Sequence, residues 1–527
     1  MKILKSISQF SGLTFISRLF GLVRDWLFAR FFGADGLMDA FLIAFKIPNF
    51  FRRLFAEGAF SQAFVPIVIG SKEKTTTLQN DGNANTTLSP TQKELVAGIS
   101  ARLYTTIFIF CTIGIIAAPV LISIFAPGFS DNPEQATLSA DLLRITFPYL
   151  LFITVVALLS SLLNIGGRFA IGAMVPIVLN ICFVLAILYA SEVFNPSIKV
   201  LAVSVFIAGF LQLLILTIAA YHRGLLIMPR WRVSPQVKEQ MHKMKIMLIP
   251  ALLSVSVIQI NLLVDMLLAS TLPEGSISWL YYGQRLMELP NGIFIVAIST
   301  VILPTFSYLI KEKSPSEFSS NVDRAVLLGL FITLPSMLGL VYLDERIISM
   351  LFQGGAFENN DVSNAAKALS AYALGLPAFM LIKIYSPCFF AHHDTKTPLR
   401  CSIITVIINI SLSLLLIDSL AHVGLALATS ISVWANALLL YFFLIQQKKI
   451  LFFQSLKELL KIFAINVLFA VALLQTPALL NEWQDWSKLQ QSITLMGIIA
   501  ISVMAYLLLS VLFRLNFRQW IEWKVNR

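Results

Sequence analysis

The sequence predicts an all-α, polytopic membrane protein with about fourteen transmembrane helices. Three observations carry that prediction. Of 527 residues, 57% are hydrophobic and only 13% are charged, whereas soluble proteins average about 25% charged. Mean hydropathy is +0.81. Apolar runs of about 20 residues recur from end to end, each long enough to cross a hydrocarbon core of ~30 Å. A transmembrane β-barrel would instead show alternating strands of about ten residues.

Hydropathy and helix punctuation place the spans in order. They are expected at roughly 7–31, 37–69, 95–126, 138–163, 170–191, 198–221 and 244–272, then 277–310, 322–343, 363–391, 398–417, 420–446, 457–477 and 491–513. The longer ones are expected to tilt, kink at internal prolines or extend past the membrane. Lys2 and Lys5 precede the first span, and Arg18 and Arg24 interrupt what a signal peptide would keep apolar. The N-terminus is therefore expected to be an uncleaved span. The 70–94 loop is polar and of low complexity, as expected of a linker. Its Asn85-Thr86-Thr87 sequon is expected to be a chance match.

The basic residues orient these spans. One side of the expected topology holds 25 Lys and Arg, and the other only Lys199, Arg346 and Lys488. By the positive-inside rule both termini are cytoplasmic, which suits an even number of spans. The net charge of +11 is thus partly topology, and nucleic acid is not an expected partner. Cys111, Cys182, Cys388 and Cys401 fall in or beside apolar spans, with no metal-ligand spacing, and are expected to be packing residues.

A weak internal repeat accompanies the topology. Leu142, Pro148 and Asn180-Ile181 recur as Ala371, Pro377 and Asn409-Ile410, and Asp25 and Pro66 find Asp265 and Pro304. This predicts two six-helix lobes, 1–221 and 244–446, joined by a basic cytoplasmic linker, 222–243. Residues 447–527 then supply two C-terminal helices and a cytoplasmic tail. Repeated bundles of this kind imply a substrate site between the halves.

The informative residues are the charges inside spans. Each costs roughly 2.5–3.5 kcal/mol at mid-bilayer on insertion scales. The first two spans nevertheless contain Arg18, Arg24, Arg30, Lys46, Arg52 and Arg53 against Asp25, Asp39 and Glu57. Arg18 and Asp25 are spaced to share a helix face, as are Asp39, Lys46 and Arg53. Pairing offsets part of the cost, but surplus positive charge remains. Pro48 is expected to kink the second span just before Arg52 and Arg53. In the second half, Arg285 and Glu288 share a face ahead of Pro290, and Lys383 sits mid-span. Arg30, Arg102 and Arg144 lie near span ends and are expected to snorkel. A guanidinium is a bidentate partner for phosphate oxygens. The surplus therefore predicts a cation-lined transport cavity for an anionic, phosphorylated substrate.

The blocks Gly21-Leu22-Val23-Arg24-Asp25, Phe45-Lys46-Ile47-Pro48-Asn49 and Arg52-Arg53-Leu54-Phe55-Ala56-Glu57-Gly58-Ala59-Phe60 resemble the MurJ/MviN lipid II flippases of the MOP exporter superfamily. The resemblance continues at Arg285-Leu286-Met287-Glu288-Leu289-Pro290 and at Asp394-Thr395-Lys396-Thr397-Pro398. It implies a V-shaped pair of six-helix lobes plus two helices. The implied activity is to move an undecaprenyl-pyrophosphate-linked peptidoglycan precursor from the inner to the outer leaflet of the bacterial cytoplasmic membrane by alternating access. Arg18, Arg24, Arg52 and Arg285 are the implied headgroup contacts. Asp25, Asp39 and Glu288 would orient them or gate, with Lys46, Arg53, Glu57 and Lys383 in support. The last two spans would hold the polyprenyl tail. Implied partners are lipid II, membrane lipids and cell-wall synthesis enzymes.

Some members of that family hold sodium. The matching positions are Asp265, Asn409, Ser413, Thr429 and the carbonyl of Leu425. Ser413 stands where the pattern has Asp, and losing a carboxylate weakens a hard-cation site. A proton or the membrane potential is the alternative energy source. No other cofactor is expected. The chain shows no phosphate-cradling lysine loop, nucleophile elbow or HExxH site, so it is not expected to be an enzyme. His392-His393-Asp394 reads as a solvated loop. Rival readings are an exporter of another polyprenyl-linked oligosaccharide or of small molecules, and a non-transporting scaffold.

Overall fold

In a computed structural model, the described residues are 2–55, 59–71, 88–166, 171–172, 174–193, 197–292, 302, 305–310, 315–451, 453, 455–476, 480, 483–516 and 520. Glu57 and most of the 70–94 loop lie outside them. The described residues form helices joined by short connections, without a named β-strand. By packing they divide into two compact units, Met1–Gly275 and Ser276–Arg527.

The first unit begins with α1 (Lys2–Phe32), α2 (Gly36–Phe55) and α3 (Ala59–Gly70). The expected 37–69 span is thus α2 followed by α3. The 95–126 span is also divided, into α4 (Pro90–Ile116) and α5 (Ala118–Phe125). Pro119 cannot donate to the helical ladder, so the break falls just before it. The next span divides in the same way into α6 (Pro133–Thr146) and α7 (Tyr149–Ile165), at Pro148. The unit closes with α8 (Val175–Val193), α9 (Lys199–Tyr221) and α10 (Pro235–Ser270).

Side-chain caps settle several starts. Ser89 and Gln92 form a reciprocal capping box on α4, while Asn132 and Ser234 cap α6 and α10. Helix α2 packs on α6, α1 on α8, and α9 on α7 and α8. Edge-to-face rings of Phe28, Phe41, Phe45 and Phe183 fill the space among α1, α2 and α8. Helix α10, expected to open the second lobe, packs on α3 and belongs to the first unit. At 36 residues it is ~54 Å long, so its polar N-terminal turns extend beyond a bilayer.

The second unit comprises α11 (Ser276–Pro290), α12 (Pro315–Tyr342), α13 (Asp344–Phe352), α14 (Asn359–Ala373), α15 (Leu376–Ala391), α16 (Lys396–Gln446), α17 (Leu456–Leu473) and α18 (Lys488–Leu512). The short α13 was not expected from hydropathy. Its N-terminal turn carries Asp344 and Glu345, which mask the apolar period. Helix α16 runs for 51 residues, or ~77 Å if straight. It is instead two helices meeting at Ala421, where φ is +47° and ψ is −130°. That break separates the expected 398–417 and 420–446 spans. Its sharpness depends on Gly424, where an added Cβ would lie 2.6 Å from the Leu416 carbonyl oxygen.

Seven helical segments among the described residues are long and apolar enough to cross a membrane. Their outer faces carry large exposed apolar side chains, among them Ile116, Leu415, Leu438 and Val511. Hydrocarbon is the solvent that such surfaces match.

Candidate functional site: the charged residues of the first unit

Arg24 and Asp25 lie on α1, and both are buried. The Arg24 Nε and one terminal nitrogen donate to Asp25 Oδ1 at 2.9 and 2.7 Å. The other terminal nitrogen donates to Asn180 Oδ1 on α8 at 2.9 Å. Asn180 in turn donates through Nδ2 to the Ser17 carbonyl at 3.1 Å. The guanidinium carbon lies 5.4 Å from the Phe28 ring centre and 5.7 Å from that of Phe183. Charge pairing, a neutral acceptor and two ring faces together offset the desolvation of this guanidinium. The carboxylate partner is the adjacent residue, which a search for helical-face spacing does not find. Asn180 was visible only as a member of the weak internal repeat, matched by Asn409.

Asp39, near the start of α2, is also buried and accepts the Gly275 backbone N–H at 2.8 Å. Gly275 has φ +90°, a conformation that favours glycine. Lys46 lies further along α2, within electrostatic reach of both Asp39 and Asp265. Asp265, on α10, also accepts a hydrogen bond from Asn261 at 3.3 Å. The structure therefore gathers Asp39, Lys46 and Asp265 in the first unit. Arg52 is half-buried and donates to Asn49 Oδ1 at 3.0 Å. Arg18 is half-buried on α1, and Arg53 is exposed.

In the second unit, Arg285 and Glu288 form the expected ion pair on α11, at 3.3 Å. Arg285 also lies over Tyr281, 5.5 Å from the ring centre. Lys383 is exposed on α15. Asn409 donates to Thr429 Oγ1 at 3.3 Å and Thr429 to the Leu425 carbonyl at 3.0 Å. Ser413, one turn beyond Asn409, is fully buried and its hydroxyl has no hydrogen-bond partner among the described residues. Asn409 and Thr429 thus meet between the two arms of α16. No group of three His, Cys, Asp or Glu suited to a metal occurs among the described residues.

The HHD loop is not merely solvated. Asp394 caps α16, accepting from the Thr397 N–H at 3.0 Å and its hydroxyl at 2.8 Å. Lys449 donates to the same carboxylate at 2.7 Å and lies 4.6 Å from the Phe389 ring centre. Partial burial works to raise this carboxyl, but the Lys449 and Thr397 hydrogen bonds outweigh it and hold Asp394 well below the usual carboxylate range.

A family model described as "Lipid II flippase MurJ" matches residues 28–512. The chain belongs to the MurJ lipid II flippase family. A Vibrio cholerae protein named "Probable lipid II flippase MurJ" is 38% identical over 527 residues, covering 97% of this chain and 96% of its own. A Haemophilus influenzae protein of the same name is 40% identical, covering 81% of this chain and 84% of its own. Among solved structures, "Lipid II flippase MurJ, inward closed conformation" superposes with TM-score 0.79 at 28% identity, covering 96% of this chain and 98% of its own. An inward-facing MATE transporter of the MOP superfamily shares the fold, with TM-score 0.64 at 13% identity, covering 82% of this chain and 94% of its own. The MurJ-family chain is accordingly a multi-pass membrane transporter rather than a catalyst of a chemical reaction.

Proposed function

We propose that the protein flips lipid II, moving its pyrophosphate-linked headgroup from the cytoplasmic to the outer leaflet of the bacterial inner membrane by alternating access. The observation that carries this reading is the buried guanidinium of Arg24 on α1, with Arg18 and Arg52 half-buried on α1 and α2. A pyrophosphate offers several anionic oxygens with the spacing that planar guanidinium groups bind in pairs. Arg52 and Arg285 are further donors in this reading. Arg24 is the ordered one, its fork aimed by Asp25 and Asn180. Asp39 and Lys46 link the start of α2 to the Gly275 turn and Asp265, and this linkage is the proposed gate. The basic loops face the cytoplasm.

The proposed energy source is a coupled sodium ion or proton, or the membrane potential, which is worth about 2.3 kcal/mol per charge per 100 mV. The unpartnered Ser413 hydroxyl, one turn beyond Asn409, supports the sodium alternative. Asp265 lies within electrostatic reach of Lys46, which favours a proton-carrying or gating role for it. Lipids and cell-wall synthesis enzymes are the expected neighbours.

The deciding experiment measures lipid II exposed on the outer leaflet in cells that depend on Arg24→Ala, Arg52→Ala or Arg285→Ala. Loss of exposure with normal membrane insertion is expected. Undiminished flipping by all three variants would overturn the assignment.

A further inference from the structure

Residues 222–234 join α9 to α10, and they are held in place rather than left as a loose linker. The Arg230 N–H donates to the Ala97 carbonyl of α4 at 2.9 Å. Arg102 donates to the Trp231 carbonyl at 3.4 Å and stacks under the Trp231 ring, 5.7 Å from its centre. Glu94 accepts from the Ser234 N–H at 2.6 Å and from its hydroxyl at 3.1 Å. The segment crosses α4 at Gly98, where an added Cβ would lie 2.8 Å from Val233 Cγ1 and 3.2 Å from Met241 Sδ. A side chain at position 98 would press on Val233 of the strap and on Met241 of α10.

What the strap presents outward is equally ordered. Arg223, Arg230 and Arg232 are exposed. Interleaved with them, Tyr221 is 70% exposed, Met228 74% and Trp231 59%. Lys238, Lys243 and Lys245 continue the charge along the first turns of α10. Between 221 and 245 there are six Lys and Arg, and Glu239 is the one acidic residue, already paired with Lys243 at 2.7 Å. The strap starts where the membrane-spanning α9 ends, at headgroup depth. Aromatic and thioether groups at that depth partition into the interface, while arginines pair with lipid phosphates.

We propose that this strap is a preformed docking surface for net-negative phospholipid headgroups of the leaflet it faces, separate from the transport site. It rests on the membrane-spanning reading of α9 and not on the identity of the transported lipid. Apolar side chains would anchor it, and the three arginines would select negative over zwitterionic headgroups. Pinning by Glu94, Arg102 and Gly98 means that little ordering is lost on binding.

Native mass spectrometry of the full-length protein in neutral detergent tests this, with dioleoyl phosphatidylglycerol and dioleoyl phosphatidylcholine titrated as separate probes. The unaltered protein is expected to bind phosphatidylglycerol at least about fivefold more tightly. Each arginine near the surface is worth roughly fivefold in affinity for negative lipid, so R223Q/R230Q/R232Q is expected to lose most of that preference. A charge-matched control, R400Q/K448Q/K457Q on exposed residues of the second unit, is expected to retain it. Gly98→Val keeps every charge but displaces the strap, and is expected to lower the preference as well. Equal binding of the two lipids, or equal losses in the strap and control triples, would overturn the proposal.

Discussion

Asp394 and Lys449 are 55 residues apart in sequence and 2.7 Å apart in space. They sit just before and just after α16, so their contact requires that helix to go out and come back. The +47° φ at Ala421 supplies the reversal. A single ion pair thus shows that one continuous helical stretch supplies two spans. It also explains the Asp-Thr-Lys-Thr-Pro block physically, because Asp394 both caps a helix and closes a hairpin.

Asp394→Asn or Lys449→Met is expected to lower stability by about 1–2 kcal/mol, the usual worth of charged hydrogen bonds in a partly covered setting. Because the folded carboxyl is held below its ordinary range, its contribution is complete above that range and lost as pH falls through the depressed folded value. Thermal unfolding in detergent should therefore show the Asp394→Asn deficit undiminished from about pH 8 to about pH 5. A deficit that vanished at the acid end of that range would mean that the clasp is not intact.

The reversal itself is testable at glycine. Gly424→Ala drives a methyl to 2.6 Å from a backbone oxygen, which cannot move cheaply, so a loss of about 1–3 kcal/mol is expected. Gly339→Ala in α12 meets nothing within 4 Å, and should be neutral or stabilising by up to ~1 kcal/mol. Melting temperatures of the two variants, measured side by side, decide the matter.

Asn180→Ala is expected to leave Arg24 paired but mis-aimed. The predicted result is reduced flipping in cells at near-normal protein abundance, with Asn180→Asp worse because it adds a carboxylate to a satisfied pair. Arg24→Lys keeps the charge but not the fork, so it should fail to restore activity. Full activity of Arg24→Lys would remove the case for bidentate recognition.

Ser413→Asp restores the carboxylate that the sodium pattern carries at this position. A formal charge beside a hard cation strengthens its binding, and a gain in sodium affinity of about tenfold or more is expected. Sodium-dependent thermal stabilisation, compared with potassium, reads this directly. Ser413→Ala should abolish any sodium response of the unaltered protein.

Much of the molecule was legible in the chain because a membrane imposes a simple rule on it. A backbone in hydrocarbon must satisfy its own hydrogen bonds, so length and apolarity alone mark the helices. The charges at Arg24, Asp25, Asp39 and Arg285 stood out for the same reason. Breaks such as those at Pro119 and Pro148 were less visible, since a hydropathy window averages over them. The helix α13 and the Asp394 clasp were missed because their meaning lies in contacts with distant residues.

By itself, then, the sequence determined an all-helical membrane protein, the surplus of guanidinium groups and the family they signal. Those follow from composition and local spacing, which any stretch of chain carries with it. Tertiary structure decided that Arg24 pairs with its neighbour and with Asn180 and that α10 joins the first unit. It also decided that the turn between the two arms of α16 falls at Ala421. These outcomes depend on which faces pack and which buried donors find acceptors, and no spacing along one helix encodes the residue that arrives from another.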